Sequence, residues 1–293
     1  MRKKNIIIIG VVIVAILAVT AISLYEAKQS NRNSVDETYN IDSEVMSTKP
    51  LPIPSGDLTA SESIPLPDLY ETGMGFTCTG LAYDPCNNVF LVGDIGKRLP
   101  NSGTIASRIV KLSTDFETVI ETIDLHTSYD IQGITLDSDG SVWYCLPSDN
   151  KIHHISNTGA SIGSISVTSP TGIAYSPDDD SFWVLNYNNK ILHISKTGKI
   201  IASYNFAYNE TLDQCFLDSG RGLLYITAGA NYFDRNNVYC FNITTHEQNI
   251  VCTVDSYSVE GIWVGQNKMV IVNDGHYHNA YIPINMANIY LLD

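Results

Sequence analysis

The chain has 293 residues, of which 44% are hydrophobic and 16% charged, enough for one large domain or two small ones with a sizeable core. Its 31 acidic residues outnumber its 17 basic ones, for a net charge of −14, which argues against nucleic acid or anionic lipid headgroups as partners of its surface. No CxxC or zinc-type cysteine spacing, phosphate-binding Gly loop or H-E-x-x-H occurs, so the common motif-borne chemistries are missing.

Met1-Arg-Lys-Lys and Asn5 precede an uncharged apolar run from Ile6 to Tyr25. A run of that length crosses a hydrocarbon core of about 30 Å as a helix, and the basic flank places the N-terminus in the cytoplasm. Val19-Thr20-Ala21 offers a signal-cleavage site, but the run continues through Ile22 and Leu24, which favours an uncleaved anchor. On either reading the remainder is exported. Residues 1–28 are therefore expected to form a cytoplasmic tip and transmembrane signal-anchor. Residues 29–60, poor in large apolar side chains, read as a polar stalk.

From residue 61 to 293 one pattern recurs: TGLAYDPCNN from Thr79, QGITLDSDGS from Gln132, TGIAYSPDDD from Thr171, a weaker DQCFLDSGRG from Asp213, and EGIWVGQNKM from Glu260. Each copy is followed by two further apolar strands, at a period of about 40–50 residues with four strands per unit, the signature of a propeller. The expected fold is thus an all-β propeller of five four-stranded blades. The repeated Gly suits a crowded innermost strand. Phe90, Trp143, Trp183, Tyr225 and Val270 read as one matched packing layer. The fifth unit ends without a fourth strand, so Ser63–Leu69 is expected to supply it and close the ring.

In a propeller the links between blades and the turns between second and third strands share one face. Thr79, Gln132, Thr171, Asp213 and Glu260 should therefore ring the channel mouth, with the turns at Asp94, Asn186 and Asn273-Asp274 beside them. The long second-to-third-strand loops fall in units four, five and one, consecutive around a ring, and long loops on a rigid scaffold carry binding. Tyr232, Phe233, Tyr277 and Tyr281 offer stacking surfaces there. Carboxylates and carbonyls suit Ca²⁺, and imidazoles suit Zn²⁺; Glu260, Asp274, His276 and His278 are the candidate ligands. Two converging carboxylates call for a cation or a donor between them, with Lys97 and Arg235 as candidates. Asp137-Ser-Asp-Gly140 resembles the start of a calcium loop but lacks the later Glu and reads as a turn. Cys240 and Cys252 flank a hairpin near His246 and are expected to face each other, within reach of a disulfide.

The x-G-[ILA]-A-x-[DS]-P opening, the apolar second strand and the EGI…VIVND ending resemble the NHL, SMP-30/gluconolactonase-like and SdiA-regulated group of propellers over most of Phe76–Asp293. An SMP-30-like lactonase would hold a divalent metal over the channel with a Glu, an Asn and an Asp, parts that Glu260, Asn186 and Asp274 would play here. The Glu lies in the last unit rather than an early one. The membrane anchor and acidic propeller look more like an SdiA-regulated-type protein. The expected function is binding of a small molecule, glycan or peptide at the channel mouth, with or without a divalent metal (Ca²⁺ or Zn²⁺). The alternatives are a metal-dependent hydrolase or lactonase and a protein–protein scaffold.

Overall fold

Short strands of alternating apolar residues, separated by Asp-, Asn- and Gly-rich turns, cannot bury both faces alone and pack against their neighbours. The computed structural model describes residues 52–71, 73–99, 103–105, 107–125, 130–229, 231–275 and 284–292, and in it each repeat is one antiparallel sheet of four strands. Blade one contains Cys78–Asp84, Val89–Asp94, Arg108–Leu112 and Val119–Asp124. Blade two contains Ile134–Leu136, Val142–Leu146, Lys151–Ile155 and Ser161–Ser166. Blade three runs through Pro170–Ser176, Ser181–Asn186, Lys190–Ser195 and Ile200–Asn205. Blade four runs through Leu212–Asp218, Leu223–Ala228, Asn236–Asn242 and Gln248–Val254. A separate hairpin, Lys97–Leu99 with Gly103–Ile105, rises from blade one's long loop.

Blade five draws on both ends of the described chain. Val259–Gly265, Lys268–Asn273 and Met286–Leu291 are completed by Glu62–Pro65, which pairs antiparallel with Met286–Leu291. The expected closure is therefore present, one residue earlier in its start. Just upstream, Gly56–Leu58 adds in parallel to Cys252–Val254 on the outer edge of blade four. Arg235 fixes that addition by donating from Nη2 to the Leu58 and Thr253 carbonyls at 2.5 and 3.3 Å. The apolar run at 6–25 lies outside the described residues, among which no helix is long and apolar enough to cross a membrane.

The core is five clusters, each between two neighbouring blades. Trp143, Trp183, Tyr225 and Val270 each face the following blade, as expected of one layer. The member in blade one is Leu91 rather than Phe90. Leu91 pairs with Ala82 as Trp183 pairs with Ala174, whereas Phe90 pairs with Tyr83 and faces back onto Trp263 of blade five at 5.4 Å between rings. A one-residue shift of register turns a side chain to the other face.

Backbones meet at the axis where the repeated Gly stands. A Cβ on Gly133 would lie 2.6 Å from the Thr171 carbonyl of blade three, and one on Gly261 would lie 2.7 Å from the Thr79 carbonyl of blade one. Blade four has Gln214 at this position, and its junction with blade five is bridged instead by the Thr227 hydroxyl, which donates to the Glu260 carbonyl at 2.8 Å.

Candidate functional site

Where the inner strands begin, the channel opens into a cavity of about 600 Å³. Thr79, Gln132, Asp213 and Glu260, four of the five residues that open the inner strands, line it. Links between blades add Asp130 and Asn209–Leu212, and connections between second and third strands add Ile95, Tyr187, Tyr232 and Asp274. All five blades contribute, so the cavity is not confined to the side of the three long loops. Five carboxylates line it (Asp130, Glu210, Asp213, Glu260, Asp274), with no Lys, Arg or His among the described lining residues.

These carboxylates are held differently. Gln132 donates from Nε2 to Asp130 Oδ1 at 3.0 Å and accepts on Oε1 from Gln214 at 3.2 Å. Gln214 also donates to Asp213 Oδ1 at 3.3 Å. Glu260 is 6% exposed and its Oε2 receives no hydrogen bond. Burial, then the charges of Asp213 and Asp274 and a hydrogen bond shared with the Asp213 carboxyl, hold its pKa well above the ordinary glutamate range. Asp274 is 3% exposed. Burial and the Asp274 and Glu260 charges push up the neighbouring Cys78 thiol, and burial with the Asp274, Glu260 and Asp213 charges raises the Tyr232 phenol.

Two expected site residues lie elsewhere. Asp94 is buried but does not line the cavity: Oδ2 accepts from Arg108 Nη2 at 2.7 Å and Nε at 3.1 Å, and from the Tyr70 hydroxyl at 2.6 Å. Asn186 holds its own turn, accepting on Oδ1 from the Asn188 and Lys190 amides at 3.1 Å. The Glu–Asn–Asp set implied by the lactonase resemblance is therefore not assembled, because its Asn is spent on the turn. Arg235, bound to the blade-four edge, does not line the cavity either. Phe233 is 70% exposed on the loop beside Tyr232. His276, Tyr277, His278, Tyr281 and the Lys97 side chain lie outside the described residues. Among the described residues, no three His, Cys, Asp or Glu side chains are placed to hold a metal ion.

The cysteine pair is corrected by the register. Cys252 faces Val238 and Cys240 faces Asn249, because the hairpin turns about Thr244 and Thr245 rather than about His246. Both thiols are free, and burial raises them to about 12 and about 11 respectively.

Sequence reasoning missed Asp130, Glu210 and Tyr187. The first two precede Gln132 and Asp213 in blade links, so proximity to an inner-strand opening was the available signal. Two constellations that suggest nucleophilic chemistry are structural. Ser181 Oγ lies 2.7 Å from His193 Nε2, which lies 2.9 Å from Asp179, and His193 stacks on Trp183. Ser141, His154 and Trp143 repeat the arrangement in blade two, and repetition in two blades marks a staple of the blade. Gly159-Ala-Ser161-Ile-Gly163 has the G-x-S-x-G spacing, but Ser161 starts the exposed outer strand of blade two, away from any strand-to-helix elbow.

The far end of the channel is different. There a cavity of about 240 Å³ is lined by Leu81, Tyr83, Leu136, Phe216, Leu217 and Trp263 among others, with no carboxylate.

No family model and no curated protein matches the sequence. Among solved structures, the fold is similar to glutaminyl cyclase of Myxococcus xanthus, at 9% identity over 82% of this chain and 100% of that one, with a TM-score of 0.56. It is also similar to a streptogramin B lyase, at 20% identity over 76% of this chain and 67% of that one, with a TM-score of 0.45. A third similarity is to virginiamycin B lyase of Staphylococcus aureus, at 18% identity over 73% and 66% of the two chains, with a TM-score of 0.44. The chain spans about two thirds of the length of these lyases. The similarity to the cyclase supports the fold alone: an all-β propeller of five four-stranded blades.

Proposed function

We propose that this protein is an extracytoplasmic propeller, anchored in the cell membrane by a helix over residues 6–25, that binds a positively charged ligand in its channel mouth. The ligand is a small molecule, glycan or peptide that brings its own cationic group or is bridged by Ca²⁺ or Zn²⁺, and the resemblance to the NHL and SdiA-regulated propellers fits a binding role. One observation carries this reading: Glu260 is buried, its Oε2 receives no donor, and the cavity it lines holds five carboxylates and no described base. A buried carboxylate whose neighbours are other acids is costly to ionise, so it either keeps a proton or meets a cation. Nucleic acid is not a partner on this reading.

The test is calorimetric titration of the full-length protein in detergent micelles at low salt, with Ca²⁺, Zn²⁺, choline and butylammonium as probes. Binding of any of them that weakens at least about tenfold in Glu260→Gln supports the reading. Binding unchanged in both Glu260→Gln and Asp274→Asn, or no binding of any probe, contradicts it.

A further inference from the structure

Resting on that reading, we infer that the cation the mouth accepts is organic: an alkylated or primary ammonium whose charged head sits at Glu260 and Asp213 and whose carbon body lies against Tyr187 and Tyr232. The geometry separates this from a metal. A hard divalent cation draws six to eight oxygens to within about 2.3–2.6 Å of one point. Here the carboxylates are spread around the wall of a cavity of about 600 Å³, and no three described ligand-type side chains converge on one point. That volume is of the size that encloses a small organic ligand.

The remaining lining completes the match. Tyr187, on the tight turn of blade three, and Tyr232, on the long loop of blade four, bring two aromatic rings to an acidic cavity. Tyr187 is 47% exposed, at the rim rather than in the core. Aromatic faces attract cations whose charge is spread over carbon-bound hydrogens, as in quaternary ammonium groups. Ile95 and Leu212 supply apolar wall for a short alkyl body. The buried end of the cavity is acidic through Glu260, whose Oε2, like that of Glu210, is buried and receives no hydrogen bond. Asp130 and Asp213 are already engaged by the paired Gln132 and Gln214 amides, which keep these walls in place around the guest.

The experiment compares choline with its neutral isostere 3,3-dimethylbutan-1-ol, and with Ca²⁺ and Zn²⁺, by calorimetry and by amide shift changes of the full-length protein in detergent micelles. The inference expects choline or butylammonium to bind and the neutral isostere to bind at least about tenfold more weakly. Glu260→Gln should weaken the ammonium about tenfold or more, and Tyr187→Leu or Tyr232→Leu about threefold to tenfold, with melting temperatures close to wild type for the exposed Tyr187 variant. Two results overturn the inference alone and leave the cationic mouth standing. One is binding of Ca²⁺ or Zn²⁺ that depends on Glu260 with no binding of either ammonium. The other is ammonium binding unaffected by both Tyr variants. Equal binding of choline and its neutral isostere overturns the inference, and overturns both readings when neither Ca²⁺ nor Zn²⁺ binds through Glu260; no binding of any probe overturns both.

Discussion

The two ends of the channel are built from the same five inner strands and have opposite chemistry. At one end the first residues of the strands gather carboxylates around Glu260 in a cavity of about 600 Å³. At the other end the last residues of the same strands close about 240 Å³ with Leu81, Phe216 and Trp263. Each inner strand runs past the crowded glycine position, where a Cβ on Gly133 would collide with the neighbouring backbone at 2.6 Å. The fold therefore fixes the axis and leaves the strand ends to differ. The far end contributes packing, since Trp263 touches both Tyr83 and Phe90 at ring distances of 5.2 and 5.4 Å. The mouth sacrifices packing and gathers five acidic side chains with no described base, the pattern of a site held at some cost to stability.

The largest expected effect tests the ring that holds both ends. Ile64 and Leu66 of the closing segment are buried in the cluster between blades five and one. Deleting residues 1–72 should abolish cooperative thermal unfolding, whereas deleting 1–51 should leave it intact. Equal melting of the two truncations would break the closure. Next in size, Trp263→Ala at the far end should destabilise by about 3–5 kcal/mol in denaturant titrations, with ammonium affinity at the mouth unchanged.

At the mouth the sign reverses. Without ligand at neutral pH, Glu260→Gln should stabilise the fold by about 1–3 kcal/mol, because it keeps the shape while removing the cost of holding a buried carboxyl protonated. Destabilisation of that size would mean that Glu260 already meets a cation or a donor other than the Asp213 carboxyl. The smallest effect is in the pH profile. Glu260 holds its proton in the folded protein above its ordinary value of 4.5. Its contribution to stability is therefore full below that value and is lost as pH rises towards the folded value. Melting temperature should show this decline in the wild type, and the decline should shrink in Glu260→Gln.

Much of the architecture was legible because it repeats. The x-G openings, the turn clusters and the missing fourth strand of the last unit specify blades, axis and closure without any tertiary information. The parallel addition of Gly56–Leu58 was not legible, since three residues without a repeat carry no pattern. The register of the blade-four hairpin was also hidden: it turns about Thr244 and Thr245 rather than His246, which sets Cys240 opposite Asn249 and Cys252 opposite Val238. At the site, Glu260, Asp274, Asp213, Gln132 and Tyr232 were placed by their position in the repeat. Asp94 and Asn186 had equivalent positions and different fates. Arg108 on the neighbouring strand captures Asp94, and the Asn186 side chain folds back on its own turn. Such local hydrogen bonding is a common role of Asn in turns. Position in a repeat says which face a residue belongs to, and its nearest donors decide whether it is available.

The central claim is that Glu260 is a buried carboxyl waiting for a cation. Selective ¹³C labelling of Glu side-chain carboxyls in the full-length protein, assigned by loss of the signal in Glu260→Gln, gives its titration directly. The midpoint should lie above the ordinary glutamate range and fall when choline is added, because the cation replaces the proton. A midpoint at or below the ordinary value, or one that choline leaves unmoved, would contradict the account.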